Sequence, residues 1–158
     1  MTQLLVTPNT STPHTIDGTL KAQVGDPITK VMTTADAAPG PVAVVIEDDP
    51  DIQGLIILIL ERAGFTVYTG TTGPDGVAAV QLHNPELITT DLDLPGFSGL
   101  EVIRRVRLFS TAPLIVISGN RDSEIESITA GANAWLAKPF RPKELQHHAQ
   151  TLIGSHNR

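Results

Sequence analysis

Val42-Ala43-Val44-Val45-Ile46-Glu47-Asp48-Asp49-Pro50 is the stretch on which the fold turns. Five aliphatic residues in a row, four of them β-branched, stop abruptly at three acids and a proline. An element that is apolar at every position, and not at every second one, reads as a strand covered on both faces, as parallel strands are. Pro50 suits the first turn of a helix, where its missing N–H costs nothing, and the acids around it suit the positive end of that helix. Ile52, Leu55, Ile56, Ile59 and Leu60 then recur at helical spacing until Ala63-Gly64 ends the run. A buried strand therefore hands over to a helix and leaves carboxylates at the junction.

Toward the C-terminus the same unit repeats. Further strands are expected at residues 65–69, 87–90, 114–117 and 134–137. Helices are expected at 74–82, entered through Thr71-Thr72-Gly73, and at 99–108, 123–130 and 142–153. Parallel neighbours need crossovers, and right-handed crossovers lay helices on both faces, so the fold class is α/β in three layers. Toward the N-terminus, Thr, Pro, Ala, Asp and Gly dominate residues 1–41, with scattered aliphatics such as Leu4, Leu5 and Val31. That segment is expected to be a mostly disordered extension, a short helix around residues 28–32 being the one element its pattern allows. The domain proper is then 42–153, followed by a short tail, 154–158.

Composition narrows the function. At 158 residues, 41% hydrophobic and 18% charged, the chain suits one domain plus a tail. Eleven Lys and Arg against 17 Asp and Glu leave a net charge of -6 with no long basic run. This argues against gripping nucleic acid or anionic lipid as the main work and favours a cationic partner ion. The absence of cysteine excludes disulfides, thiolate metal sites and thiol nucleophiles. The longest aliphatic run, residues 55–60, is far short of a membrane span, and the N-terminus lacks a signal pattern. The expectation is a soluble, cytoplasmic chain with no membrane partner.

In open doubly wound sheets the chemistry gathers beyond the carboxyl ends of the strands. Those positions hold Glu47 and Asp48, Asp91, Ser118 and Lys138, while the second strand ends at Gly70, as befits an edge outside the site. Three carboxylates within about 5 Å would repel by about 3 kcal/mol per pair at an effective dielectric near 20. A divalent cation resolves this, and an all-oxygen donor set suits Mg²⁺. Lys138 and the Ser118 hydroxyl suit phosphoryl oxygens, and the central Asp91 suits an in-line nucleophile. Asp49 reads as a helix cap and Arg104, Arg105 and Arg107 as the solvated side of a helix. His147 and His148, being adjacent, face different ways and are not read as a metal site.

Four pieces in order, Glu47-Asp48-Asp49-Pro50, Asp91-Leu92-Asp93-Leu94-Pro95-Gly96-Phe97-Ser98-Gly99, Ser118-Gly119-Asn120 and Trp135-Leu136-Ala137-Lys138-Pro139-Phe140, make residues 42–152 resemble the receiver domain of two-component response regulators. The resemblance implies a flavodoxin-like (βα)5 sandwich with strand order 2-1-3-4-5. It implies that Asp91 accepts a phosphoryl group from a histidine kinase or phosphotransfer protein. Glu47, Asp48, Asp91 and the main-chain carbonyl of Asp93 would bind Mg²⁺. Ser118 and Lys138 would hold the phosphoryl group, and the Lys138-Pro139 peptide would be cis. Ser118 and Trp135 would form the switch that reshapes the face made by the fourth helix, fifth strand and fifth helix, with Trp135 standing where the family usually has Tyr or Phe. Asp93 and Asn120 would tune hydrolysis of the aspartyl phosphate.

Two rivals come from other classes. One is a haloacid-dehalogenase-like phosphohydrolase using Asp91 and Asp93, against which the early position of Glu47 and Asp48 counts. The other is a docking-only receiver, against which the full set of phosphorylation residues counts. No stretch after the last helix reads as an output module, so the chain is expected to act through a downstream protein target or an output domain of a longer regulator, with no nucleic-acid contact of its own. Asn133, Ala134, Gln146, His147 and His148 stand where one branch of the family uses charged pairs to dimerise, so weak or no pairing by that route is expected.

Overall fold

The computed structural model describes residues 38–157. Residues 1–37 of the expected extension, with the short helix allowed at 28–32, lie outside the described residues. From Pro39 onward the chain forms one compact unit in which strands and helices alternate. These are β1 (Val42–Ile46), α1 (Pro50–Arg62), β2 (Thr66–Gly70), α2 (Gly73–His83), β3 (Leu87–Thr90) and α3 (Gly99–Val106). They continue with β4 (Leu114–Ser118), a single 3₁₀ turn (Arg121–Ser123), α4 (Glu124–Ala130), β5 (Ala134–Ala137) and α5 (Pro142–His156). All neighbouring strands pair in parallel, in the order β2-β1-β3-β4-β5. The expected doubly wound flavodoxin-like sandwich is therefore what forms.

Alternation along the strands divides the apolar residues between two cores. Ala43, Val45, Leu87, Ile115 and Leu136 face Ile56 and Leu60 of α1 and Leu145 of α5. Val44, Ile46, Ile88, Leu114 and Val116 face Val80 of α2 and Val102, Ile103 and Val106 of α3. Each such Val, Leu or Ile, withdrawn almost wholly from water, contributes about 1.5–3 kcal/mol. The cores fix the register and so hold the strand ends level. One polar group interrupts the first core. Thr89, 1% exposed and paired in register with Val45 and Ile115, leaves its hydroxyl without a partner, a cost of roughly 1–3 kcal/mol.

Caps follow the sequence reading closely. Asp49 Oδ1 accepts from the Asp51 and Ile52 N–H groups at 2.9 and 3.1 Å, and Thr72 Oγ1 accepts from the Asp75 N–H at 3.1 Å. Boundaries differ from expectation by one to three residues. α3 ends at Val106, where the Leu108 and Phe109 N–H groups turn to the i−3 carbonyls of Arg105 and Val106. α4 begins only after the 3₁₀ turn. α5 runs through Gly154 to His156, beyond the expected end at residue 153. Among the described residues no helix is long and apolar enough to cross a membrane.

Arg107 corrects the reading of a uniformly solvated arginine face. Arg104 and Arg105 are exposed, but Arg107 is partly buried. Its Nε donates to the Gly131 carbonyl, Nη1 to the Ser110 and Ala112 carbonyls, and Nη2 to Asn133 Oδ1, which also accepts from the Leu114 N–H. Burial lowers this guanidinium from its ordinary value. Arg107→Ala strands several main-chain acceptors at once and is expected to destabilise the fold by about 2–3 kcal/mol in urea unfolding. Arg104→Ala, on the exposed side, is expected to change stability by under about 0.5 kcal/mol.

Candidate functional site

Parallel pairing carries one step past the strands and so aligns the residues that follow them. The Glu47 N–H donates to the Gly70 carbonyl at 3.0 Å, the Asp91 N–H to the Ile46 carbonyl at 2.9 Å, and the Lys138 N–H to the Ser118 carbonyl at 2.9 Å. Glu47, Asp91 and Lys138 each lie two residues beyond Val45, Thr89 and Leu136, whose side chains turn to the α1/α5 face, so the three converge there. Lys138 Nζ bridges Glu47 Oε2 at 2.8 Å and Asp91 Oδ2 at 2.9 Å. Carboxylate oxygens of Glu47, Asp48 and Asp91 lie within 4.8 Å of one another. The Lys138-Pro139 peptide is cis.

Burial differs sharply across this cluster. Glu47 is 1% exposed and Asp91 6%, whereas Asp48 is open to solvent. Burial, aided by the adjacent Asp91 charge and opposed by the Lys138 hydrogen bond, holds the Glu47 carboxyl above its ordinary range. Burial pulls the Lys138 ammonium down, but its hydrogen bonds to Glu47 and Asp91 outweigh this and leave it above its ordinary value. Three carboxylates facing one ammonium leave an excess of negative charge that a cation can neutralise. The oxygen-only donor set fits Mg²⁺, a hard cation that takes oxygen ligands.

Several contacts fix the acids in place. The Leu92 N–H donates to Asp91 Oδ1 at 2.6 Å, and the Asp49 N–H to Glu47 Oε1 at 3.2 Å. Gln53 Nε2, one turn into α1, donates to the Glu47 carbonyl at 2.9 Å. The sequence reading missed Gln53 and the Leu92 amide. An ordinary helical glutamine and a backbone donor carry no signature in the sequence.

The other expected residues lie around this centre. Ser118 is buried at the end of β4, and its hydroxyl accepts from the Asn120 N–H at 3.2 Å. Asn120 is exposed, and its Oδ1 accepts from the Asp122 N–H at 3.1 Å. Asp93 is exposed in the turn after β3, and its carboxylate is not part of the acidic cluster. Trp135 is partly buried, and its indole N–H donates to Ser123 Oγ at 3.3 Å. Glu47, Asp48, Asp91 and Lys138 therefore meet directly, while the side chains of Ser118, Asn120, Asp93 and Trp135 are not part of that cluster.

The model of the response regulator receiver domain matches residues 43–150. The chain belongs to the response regulator receiver family. It is 34% identical over 123 residues to the cell cycle transcriptional regulator CtrA of Caulobacter vibrioides, a match covering 69% of this chain and 53% of that one. To the transcriptional regulatory protein KdpE of Mycobacterium tuberculosis it is 37% identical over 98 residues, covering 61% and 43%. This receiver chain thus spans about half the length of the curated relatives it matches. Among solved structures it resembles the receiver domain of the sensor histidine kinase PA1611 of Pseudomonas aeruginosa. That structure has a magnesium ion coordinated in the active-site cleft (TM-score 0.68, 29% identity, 73% of this chain and 98% of that one). It also resembles the chemotaxis response regulator CheY4 of Vibrio cholerae (TM-score 0.67, 25% identity, 72% and 98%). Receiver domains are signalling domains of two-component systems and not classical enzymes, and they bind Mg²⁺ at an acidic site. This receiver has an acidic cluster, Glu47-Asp48-Asp91, at the carboxyl ends of β1 and β3.

Proposed function

We propose that this receiver is a phosphorylation-activated switch whose phosphoacceptor is Asp91, supplied from a phosphohistidine of a histidine kinase or phosphotransfer protein. The supporting observation is the convergence of Asp91 with Glu47, Asp48 and Lys138 at the carboxyl ends of β1, β3 and β5. The Leu92 N–H holds Asp91 Oδ1, leaving Oδ2, the oxygen beside Lys138, to attack phosphorus. The new oxygen–phosphorus bond forms as the phosphorus–nitrogen bond to the donor imidazole breaks, and the leaving nitrogen keeps the electron pair. Lys138 exchanges its contact with Asp91 for the incoming phosphoryl oxygens and neutralises their charge. Glu47, Asp48, Asp91 and the Asp93 main-chain carbonyl would hold Mg²⁺, which would supply further charge neutralisation at those oxygens.

Ser118 then turns its hydroxyl from the Asn120 N–H to the phosphoryl group, and Trp135 adjusts with the 3₁₀ turn that holds its indole. The face made by α4, β5 and α5 changes, and this change acts on a downstream protein or an output domain. Asp93 and Asn120 tune hydrolysis of the acyl phosphate. Residues 42–153 carry the switch in this scheme, with 1–41 as an extension and 154–158 as a tail. The names of CtrA and KdpE describe transcription regulators, which suits a transcriptional output reached through another module.

The phosphohydrolase reading needs the Asp93 carboxylate beside Asp91, and that side chain lies outside the cluster. Intact mass after treatment with acetyl phosphate separates the two. The switch predicts uptake of one phosphoryl group per chain, dependent on Mg²⁺ and absent with a chelator, and no sustained turnover of phosphomonoesters. Steady release of phosphate from a phosphomonoester over many cycles overturns it.

A further inference from the structure

The turn from Asp91 to Gly99 is tightly wound. Leu94 N–H and Gly99 N–H both return to the Leu92 carbonyl, at 3.2 and 2.9 Å. Its outer part, Pro95 to Phe97, is gripped from outside by two helices. From α2, the Gly73 N–H donates to the Pro95 carbonyl at 3.0 Å. Gly73 also lies directly against Phe97. A methyl group there would overlap the Phe97 carbonyl oxygen and come within 2.6 and 2.9 Å of Cδ2 and Cε2 of the ring. Gly96 has a φ of +87°, and a Cβ there would come 2.7 Å from Pro74 Cδ, so the position excludes a side chain. From α3, the Arg105 guanidinium carbon sits 4.3 Å from the Phe97 ring centroid, and Glu101 Oε1 holds its Nε at 2.8 Å.

The entry to α2 contributes no side chain to the acidic cluster, yet it is closely fitted to the turn that carries Asp93. We propose that Gly73 and Phe97 are positioning residues for the cation site: close contact between α2 and the ring fixes the turn after Asp91, and Arg105 presses the ring into that contact. This inference rests on the proposed cation-binding role of Glu47, Asp48, Asp91 and the Asp93 carbonyl. Displacing Phe97 by the added methyl carries the turn with it, and a shift near one ångström is enough to lose most of the binding.

The test uses the whole unphosphorylated chain, Mg²⁺ titration calorimetry and amide hydrogen exchange. Gly73→Ala is expected to weaken Mg²⁺ binding by roughly tenfold or more and to speed exchange at residues 73 and 94 without Mg²⁺. Phe97→Ala removes the ring carbons that the methyl strikes but leaves the carbonyl oxygen, so the losses in Gly73→Ala/Phe97→Ala should sum to clearly less than those of the two single variants. Arg105→Met, at an exposed helical position, should fold normally and weaken binding by roughly two- to threefold. Wild-type affinity in Gly73→Ala, or losses that simply add in the double variant, overturns the proposal. Failure of the parent chain to bind Mg²⁺ would instead overturn the cation-binding role. The exchange rates at 73 and 94 then decide the positioning claim alone, unchanged rates in Gly73→Ala refuting it.

Discussion

Asp48→Asn is expected to weaken Mg²⁺ binding by roughly tenfold or more and, in the same protein, to stabilise the metal-free fold by about 1 kcal/mol. The cluster sets three carboxylates against one ammonium, and Lys138 is already shared between Glu47 and Asp91. Asp48 therefore faces two acids, with no ion pair of its own among the described residues. At an effective dielectric near 20, charges about 5 Å apart repel by about 3 kcal/mol. Exposure of Asp48 and salt screening reduce this to about 1 kcal/mol. Amidation removes the repulsion and removes a hard anionic donor. Calorimetric titration with Mg²⁺ and urea unfolding in chelator measure the two effects. A variant that loses stability without metal, or keeps parental affinity, contradicts the electrostatic account.

Gly99→Ala is expected to destabilise the fold by about 2–3 kcal/mol and to cut phosphoryl uptake by more than about tenfold. Helix propensity alone would favour alanine by about 1 kcal/mol. Sterics reverse the sign, because the added methyl would collide with the Asp91 carbonyl oxygen and come 2.8 Å from Leu92 Cα. Backbone has to move, which breaks the Gly99 N–H bond to the Leu92 carbonyl and pulls the Leu92 N–H from Asp91 Oδ1. Gly54→Ala is the matched control. It lies within α1 with open space at its Cα, so the propensity gain of about 1 kcal/mol should appear undiminished. Urea unfolding of both variants checks the opposite signs; a stabilised Gly99→Ala would refute the packing argument.

The fold and the centre of the site were legible because one feature encodes both. A parallel strand buried on two faces must be apolar throughout, so the first polar residue after it marks the strand end. Val42 to Glu47 and Ala134 to Lys138 carry that mark; in Leu87 to Asp91 the β-branched Thr89 and Thr90 come first, and the first charged residue marks the end. Asp49 was legible as a cap because its type and position leave few other roles. Arg107 was not, since its three-residue spacing from Arg104 places both on one helical face. Only the folding back of Ser110 to Ala112 and the approach of Gly131 make it a staple. The end of α5 was misplaced because Gly154 looks like a stop, yet it is exposed with open space around it and the helix passes through. The grip of Gly73 on Phe97 joins residues 24 positions apart by shape alone, and no spacing rule encodes it.

The central claim is that one carboxylate, Asp91, is reversibly phosphorylated beside Lys138 and a bound cation. Intact mass after acetyl phosphate treatment with Mg²⁺, on the parent and on Asp91→Asn, tests it most directly. The account predicts one added phosphoryl group on the parent, lost again on standing, and none on the variant. Equal uptake by the two proteins would contradict it.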